Sequence, residues 1–280
     1  MIAASADYHV PKTHDAEVLL ADMRRLIETA VDAGAAIVVL PAFIGCLYDM
    51  LRGGHDTLRA LLKDPGGYYL GEMSELTRAY DIHVCPGSYW EREAGHVYHT
   101  TCVLHKGKMI AKQRQLYLAR WERDLGLSRG TKTSIVTING WNVGLIVSTD
   151  VFYPQVSRAL ALQGAGAVLC PAAYVGERND ALQIAGMWQE AQQNNFFAVE
   201  SGYTGALGEL SLWGRASLYA PIETTEMEDG YLAYNKEGES LIYAELDNTK
   251  RQTAIARFDV LSQLNRELYR DMGLFAGDQS

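Results

Sequence analysis

The alternation of apolar and polar positions along the chain predicts strands and helices in turn. The short apolar runs at 36–40 and 82–89 are typical of strands that are covered on both faces. Between Glu17 and Ala33 the apolar residues instead recur near every 3.6 positions, which predicts an amphipathic helix. Thr13 to Asp15 offer side chains that can cap the start of this helix, and Gly34 is a natural stop after it.

Two pairs of neighbouring strands carry hairpin signals. The strands 97–104 and 108–114 are separated by the tight turn His105-Lys106-Gly107, and the strands 134–139 and 142–148 flank an Asn-Gly pair. The pattern also predicts helices at 70–78, 155–163, 180–193 and 258–272, and strands at 2–6, 167–170, 196–200, 215–219 and 241–245. Hairpins mixed with crossovers indicate two sheets in a layered α/β arrangement rather than one doubly wound sheet.

The domain organisation follows from what the chain lacks. It shows no internal repeat, low-complexity tract or linker, so we expect one domain over residues 1–280 that ends in the helix at about 258–272. The longest irregular segments, 45–67 and 177–179, are candidates for pocket walls. With 280 residues, of which 48% are hydrophobic, the chain is long enough to bury a sizeable core.

Charge and hydropathy argue against some classes of binding partner and of cellular location. The formal net charge of −9 is spread along the chain, which argues against a nucleic-acid or anionic-membrane surface. No apolar stretch approaches 18 residues, so no membrane-spanning helix is expected. The first residues also lack a basic region followed by an apolar run, so we expect no signal peptide and a cytoplasmic protein.

The four cysteines predict no metal site. Cys46, Cys85, Cys102 and Cys170 form neither a C-x-x-C motif nor a Cys/His zinc pattern. The last three lie in apolar runs that read as strands, which favours buried thiols in a reducing compartment. We therefore expect no metal and no cofactor.

Three segments of the chain form recognisable motifs: V-V-L-P-A-F-I-G (38–45), Q-R-Q-L-Y-L-A-R-W-E (113–122) and G-L-I-V-S-T-D-V-F-Y-P (144–154). They resemble the segments that carry a Glu, a Lys and a Cys in the nitrilase, or carbon–nitrogen hydrolase, superfamily. Shorter pieces in the same order also resemble family segments: P-G-S-Y-W-E-R (86–92), Y-H-T (98–100), F-A-V-E-S-G-Y-T-G (197–205) and G-R-A-S-L-Y-A-P (214–221). The resemblance implies a four-layer α-β-β-α sandwich with mixed sheets.

The three chemical positions of that superfamily are substituted in this chain. In the family a Cys thiolate attacks a nitrile or amide carbon, a Glu is the general base, and a Lys stabilises the tetrahedral intermediate. The resemblance places Ala42, Gln115 and Ser148 at these positions. Alanine cannot accept a proton, glutamine carries no charge, and a serine hydroxyl needs an adjacent base even more than a thiol does. A second family Glu, which helps to position the substrate, is retained as Glu122.

These substitutions favour a catalytically inactive homologue whose vestigial pocket binds a small molecule, or which serves as a partner in an assembly. We expect the ligand-binding side chains among Tyr117, Asp150, Tyr153, Tyr174, Glu200 and His99. Family members commonly associate through the helices that flank the sheets, so the resemblance implies a homodimer. A purely structural subunit would instead fill its pocket with side chains such as Tyr117, Tyr153 or Trp188.

Two alternatives keep a hydrolytic nucleophile. Ser148 could attack a substrate if Glu122 or a histidine served as its base, which would give weak amide or ester hydrolysis. The thiol could also have moved to Cys46 or Cys170, although neither has a matching base in the sequence.

A third alternative is acid–base chemistry without a nucleophile. Glu122, with Glu200 or His99, could perform the proton transfers of an isomerase, cyclase or lyase. The simpler interpretation of Glu122 is a structural carboxylate held by Arg120 or Arg123.

Overall fold

The computed structural model describes residues 1–11, 15–236 and 238–271. The α-helices in this part of the chain are α1 (Ala16–Asp32), α2 (Ile44–Gly53), α3 (Leu58–Lys63), α4 (Tyr68–Thr77), α5 (Arg120–Leu125), α6 (Pro154–Leu162), α7 (Asp180–Gln183), α8 (Gln189–Asn194), α9 (Asn248–Arg257) and α10 (Arg266–Asp271). A π-helical turn (Ile184–Trp188) joins α7 to α8, and 3₁₀ turns occupy Ser148–Phe152 and Ile222–Thr224.

The strands of the same residues alternate with these helices. They are β1 (Ile2–His9), β2 (Ile37–Val39), β3 (His83–Cys85), β4 (Ser88–Glu93), β5 (His96–His105), β6 (Lys108–Arg114), β7 (Ile135–Ile138), β8 (Trp141–Leu145), β9 (Ala167–Pro171), β10 (Tyr174–Val175), β11 (Phe197–Leu207), β12 (Leu210–Trp213), β13 (Ser217–Tyr219), β14 (Tyr231–Tyr234) and β15 (Leu241–Glu245).

The strands form two mixed groups that meet at one short parallel pairing. In the first group β1, β2 and β3 are parallel neighbours, with β15 antiparallel at one side and β4, β5 and β6 at the other. In the second group β8, β9 and β11 are parallel, flanked by antiparallel β7 and β13. The end of β1 pairs with the middle of β11, Asp7 opposite Gly202, which joins the groups.

The alternation of side chains along the strands divides the hydrophobic core into three layers. Ile37 and Val39 of β2 pack together with Phe197 and Val199 of β11, so the two strand groups face each other there. Residues of opposite parity, such as Val38, pack instead against α1, α2 and α4, and those of the second group pack against α6 and α8. Helices therefore cover both outer faces, and the predicted α-β-β-α sandwich is confirmed.

Most predicted elements are present, and both predicted hairpins are confirmed. The expected strand 82–89 is broken into β3 and β4 because Gly87 adopts φ +82°. The segment 45–67, predicted to be irregular, holds α2 and α3 instead. Asp15 caps α1 by accepting a hydrogen bond from the Val18 N–H at 2.8 Å, whereas Thr13 and His14 lie outside the described residues.

The terminal helix predicted at 258–272 begins later in the chain than expected. In the structure α9 ends at Arg257, the next eight residues are turns and coil, and α10 begins only at Arg266. Met272, the predicted end of the helix, lies outside the described residues. Among the described helices, none combines the length and apolarity that crossing a bilayer requires.

Candidate functional site

A cavity of about 150 Å³ lies where the loop after β8, the start of α2 and the turn into α5 meet. Its described wall is mainly apolar and aromatic, with one carboxylate and three hydroxyl groups. The lining residues are Phe43, Ala119, Trp121, Glu122, Ser148, Thr149, Phe152, Ala173, Tyr174, Val175 and Leu182. Such a concave apolar site with a few polar groups is the usual form of a small-molecule pocket.

Ser148 sits on this wall in a strained conformation. Its backbone φ is +45°, a value that a residue other than glycine adopts at a cost of about 1–3 kcal/mol. The turn follows directly from β8 into the 3₁₀ segment, so it projects the side chain from the end of the strand. Among the described residues, Ser148 Oγ makes one hydrogen bond, which it donates to the Ala173 carbonyl at 3.1 Å. No base lies within hydrogen-bond reach of it in this part of the chain.

Phe43 is a second strained residue on the same wall, with φ +57° at the start of α2. Its backbone N–H donates a hydrogen bond to Ser88 Oγ at 2.8 Å. Its ring stacks on the imidazole of His99, with ring centroids 4.3 Å apart. Two contacts from β4 and β5 therefore hold the α2 start in place.

His99 joins the residues behind the cavity through both ring nitrogens. Nε2 lies 2.6 Å from Ser88 Oγ, and Nδ1 lies 2.7 Å from Glu122 Oε1. Because Ser88 Oγ already accepts from Phe43, its own proton is free to be donated to Nε2. Nδ1 then carries the proton and donates it to Glu122, so a neutral imidazole satisfies every partner.

Glu122 is the one carboxylate among the described residues of the cavity wall, and it is only 1% exposed. Besides the hydrogen bond from His99, its Oε2 accepts the Ala119 N–H at 2.8 Å, which caps the first turn of α5. The expected arginine partners are wrong, because Arg120 and Arg123 both pair with Asp124 on the outer side of the helix. An imidazole, rather than a guanidinium, therefore holds this carboxylate.

Gln115 and Ala42 are fully buried beside this network. The Gln115 amide donates to Thr149 Oγ1 at 2.8 Å, and its Oε1 lies 2.9 Å from His99 Nδ1 as a second acceptor of the same proton. Gln115 thus lies close to Glu122 and links it to the strand end that carries Ser148. Ala42 adds a methyl group and no polar contact.

Asp150 lies beside the cavity, and its carboxylate binds backbone N–H groups. Its carboxylate accepts the Leu116 N–H at 3.0 Å and the Tyr117 N–H at 2.7 Å. Burial raises the pKa of Asp150 to about 7, against the effect of these hydrogen bonds. The ring of Tyr117 stacks on Tyr153 with centroids 4.0 Å apart, and neither ring lines the cavity.

Glu200 forms a separate buried cluster behind Tyr174. Its carboxylate accepts hydrogen bonds from the Tyr174 hydroxyl at 2.5 Å, the Tyr219 hydroxyl at 2.7 Å and the Gln183 amide at 2.8 Å. Burial raises the pKa of Glu200 to about 7, although these hydrogen bonds act in the opposite direction. Tyr174 alone links this cluster to the cavity wall.

The sequence as a whole is similar to one known protein family. The model of the carbon–nitrogen hydrolase family matches residues 2–255. This chain belongs to the carbon–nitrogen hydrolase family.

Three proteins that are similar to this chain share only 19–22% of its residues. A Bacillus subtilis protein named as a probable hydrolase is 20% identical over 94% of the chain, which spans about half (53%) of that relative. An omega-amidase of Bos taurus is 22% identical over 87% of the chain and 88% of its own length. A variant of an amidase from Nesterenkonia, assigned to the nitrilase superfamily, has the same fold, with a TM-score of 0.79 at 19% identity over 97% of each chain.

The fold places only some of the predicted site residues on the cavity wall. Ser148, Glu122 and Tyr174 line the cavity, whereas His99 and Gln115 lie behind it and Ala42, Asp150 and Glu200 do not reach it. The structure adds wall residues that sequence reasoning missed: Phe43, Trp121, Thr149, Phe152 and Ala173. Several of them directly adjoin a predicted position, and that adjacency was the one available signal.

The described residues offer no group of three or more His, Cys, Asp or Glu that could hold a metal ion. All four cysteines are free and buried. Burial raises the pKa of the Cys46 and Cys170 thiols well above the ordinary value, which disfavours the thiolate.

Proposed function

We propose that this carbon–nitrogen hydrolase homologue binds a small molecule in the cavity around Glu122 and does not hydrolyse it. The observation that carries the proposal is the environment of Ser148. Its hydroxyl donates to a backbone carbonyl, so the oxygen has no base to remove its proton. A nucleophile of this kind is weak without such a base.

The neighbouring groups support the same conclusion. His99 is the one imidazole near the cavity in the described residues, and both of its nitrogens are used by Ser88 and Glu122. Gln115 supplies an amide where the family resemblance implies an ammonium group, so developing negative charge on a substrate would find no fixed cation there. Ala42 supplies no base.

The presence of an open cavity supports ligand binding. A purely structural subunit would have its pocket filled by side chains. Tyr117 and Tyr153 stack on each other outside the wall, and Trp188 donates its Nε1–H to the Asp229 carbonyl at 2.8 Å. The three side chains that could have filled the pocket are therefore used elsewhere. A homodimer, implied by the family resemblance, stays a prediction.

The test is an assay with isobutyramide, isobutyronitrile and an activated ester such as 4-nitrophenyl acetate. We expect no turnover that depends on Ser148, so the wild-type protein and Ser148→Ala should give the same background rate. Turnover that disappears in Ser148→Ala would contradict the proposal and would favour weak hydrolysis through this serine.

A second candidate function is acid–base catalysis by Glu122. The contact that favours it is the 2.7 Å hydrogen bond from His99 Nδ1 to Glu122 Oε1, because a carboxylate backed by an imidazole can exchange a proton with a ligand. In a screen of metabolites, this function predicts a conversion that Glu122→Gln abolishes while the circular dichroism spectrum stays unchanged. A screen without any conversion would count against it.

A further inference from the structure

The charge of the cavity identifies the chemical class of its ligand. Glu122 lies on the wall and is almost fully buried, and no Lys or Arg side chain is among the described lining residues. Among the described residues no Lys or Arg pairs with Glu122, and the contacts of His99 with Ser88 and Glu122 need no more than a neutral imidazole. A buried anion without a counter-ion is costly, so a cation that enters the cavity would be stabilised.

The oxygens of Glu122 accept few hydrogen bonds within the protein. Oε1 accepts one hydrogen bond, from His99, and Oε2 accepts one, from the Ala119 N–H. A carboxylate offers about four lone-pair positions, so the carboxylate of Glu122, a residue of the cavity wall, can accept further hydrogen bonds. Gln115 lies near enough to share the proton of His99, but its amide hydrogens are donated to Thr149 Oγ1 and the Tyr117 carbonyl.

The rest of the wall suits the organic part of a cation. Phe43 lies 5.8 Å from Trp121, and Phe152 lies 5.5 Å from Tyr174, as measured between ring centroids. All four rings line the cavity. Aromatic faces attract ammonium groups through the ring quadrupole, and several rings around one site are the usual means of binding alkylammonium ions.

We propose that the cavity binds a small alkylammonium ion, with Glu122 as its counter-ion and the four aromatic side chains around its alkyl groups. This inference rests on the proposed binding function and specifies the ligand class. Ser148 and Thr149 then act as polar neighbours of the ammonium group, not as nucleophiles.

Three probes with one carbon skeleton separate charge from shape: isobutylammonium, isobutyramide and isobutyrate. Dissociation constants are measured by calorimetry on the intact wild-type protein at constant ionic strength. We expect isobutylammonium to bind at least about tenfold more tightly than isobutyramide, the lower end of the range for a hydrogen bond to a charged group, and isobutyrate to bind most weakly. Equal or tighter binding of the amide, or no binding of the amine, would overturn the inference.

Two variants test the role of the counter-ion. Glu122→Gln should remove the preference for the amine, whereas Glu75→Gln, an exposed carboxylate on α4 paired with Arg78, makes the same charge change and should keep it. Gln115→Lys should place an ammonium group of the protein near Glu122 and weaken isobutylammonium at least about tenfold by competition. Unchanged amine affinity in a folded Gln115→Lys protein would count against Glu122 as the counter-ion.

The same probes distinguish this inference from the proposed function. Conversion of isobutyramide to isobutyrate and ammonia, lost in Ser148→Ala, would contradict the non-hydrolytic function whatever the relative affinities are. Equal binding of amine and amide without turnover would overturn the ligand class alone.

Discussion

The imidazole Nδ1 of His99 lies 2.7 Å from the carboxylate Oε1 of Glu122, and both residues are almost completely buried. This contact joins β5 to the first turn of α5, so it fixes the one carboxylate on the cavity wall. The other imidazole nitrogen reaches Ser88 at 2.6 Å and thereby the start of α2. One side chain of β5 thus connects α5 and the start of α2, which both contribute to the cavity wall.

His99→Phe should destabilise the fold, because it keeps a ring against Phe43 but removes both nitrogens. The Glu122 carboxylate and the Ser88 hydroxyl would each lose a buried partner, at a total cost of about 3 kcal/mol. The measurement is the free energy of unfolding in urea. His105→Phe is the matched control, since His105 is partly exposed and 3.8 Å from Asp81, and it should change stability by about 0.5 kcal/mol or less.

Gly87→Ala should destabilise more than its backbone angle alone explains. Gly87 has φ +82°, and a Cβ there would lie 2.0 Å from the Pro41 carbonyl oxygen, next to the α2 start that carries Phe43. Gly95→Ala is a close control, because Gly95 has φ +83° with nothing within 4 Å of the added atom. We expect about 1–2 kcal/mol for the control and at least twice that for Gly87→Ala, as measured by urea unfolding. Equal losses would mean that the backbone shifts to admit the methyl group.

The sequence predicted the strands better than the helices, for a physical reason. Most strands are apolar runs or carry turn signals at their ends, as in the Asn139-Gly140 hairpin. By contrast, every residue from Ile44 to Met50 in α2 is buried, Asp49 included, so a polar side chain does not mark the solvent side of this helix. In α9 only Ala254 is buried, so no apolar stripe marks that helix either.

The sequence predicted which residues line the site better than it predicted the contacts between them. The family resemblance drew attention to Ser148 and Glu122, and both line the cavity. The sequence suggested Arg120 or Arg123 as the partner of Glu122 and did not reveal the hydrogen bond from His99, because that contact depends on how β5 packs against α5. Adjacent arginines favoured a local ion pair, but the helix turns Arg120 and Arg123 outward.

Stability should fall between pH 5 and pH 7.5 because of Glu200. Burial raises the pKa of this carboxyl from 4.5 to about 7, so between these values the folded state holds a proton that the unfolded state has released. The contribution is complete below about pH 4.5 and is lost as the pH rises through about 7, by up to about 3 kcal/mol. Urea unfolding over this range measures the slope.

Glu200→Gln should make that slope shallower but not flat, since the buried carboxyls of Asp49 and Asp150 also have a pKa raised to about 7. The exposed control Glu75→Gln should keep the full slope. An identical slope in wild type and Glu200→Gln would show that Glu200 titrates at the same pH in the folded and unfolded states.

Ser148→Cys should not restore hydrolysis. The turn at φ +45° would hold the new thiol in the place of the hydroxyl, within reach of the Ala173 carbonyl but with no base beside it. The neighbouring Cys170 shows the effect of such surroundings, since burial raises the pKa of its thiol well above the ordinary value. A neutral thiol is a poor nucleophile, and the members of a catalytic group act as a unit, so one restored member of three gives little rate. Ammonia release from isobutyramide should therefore match the Ser148→Ala background, and release above it would show that another group in the cavity activates the thiol.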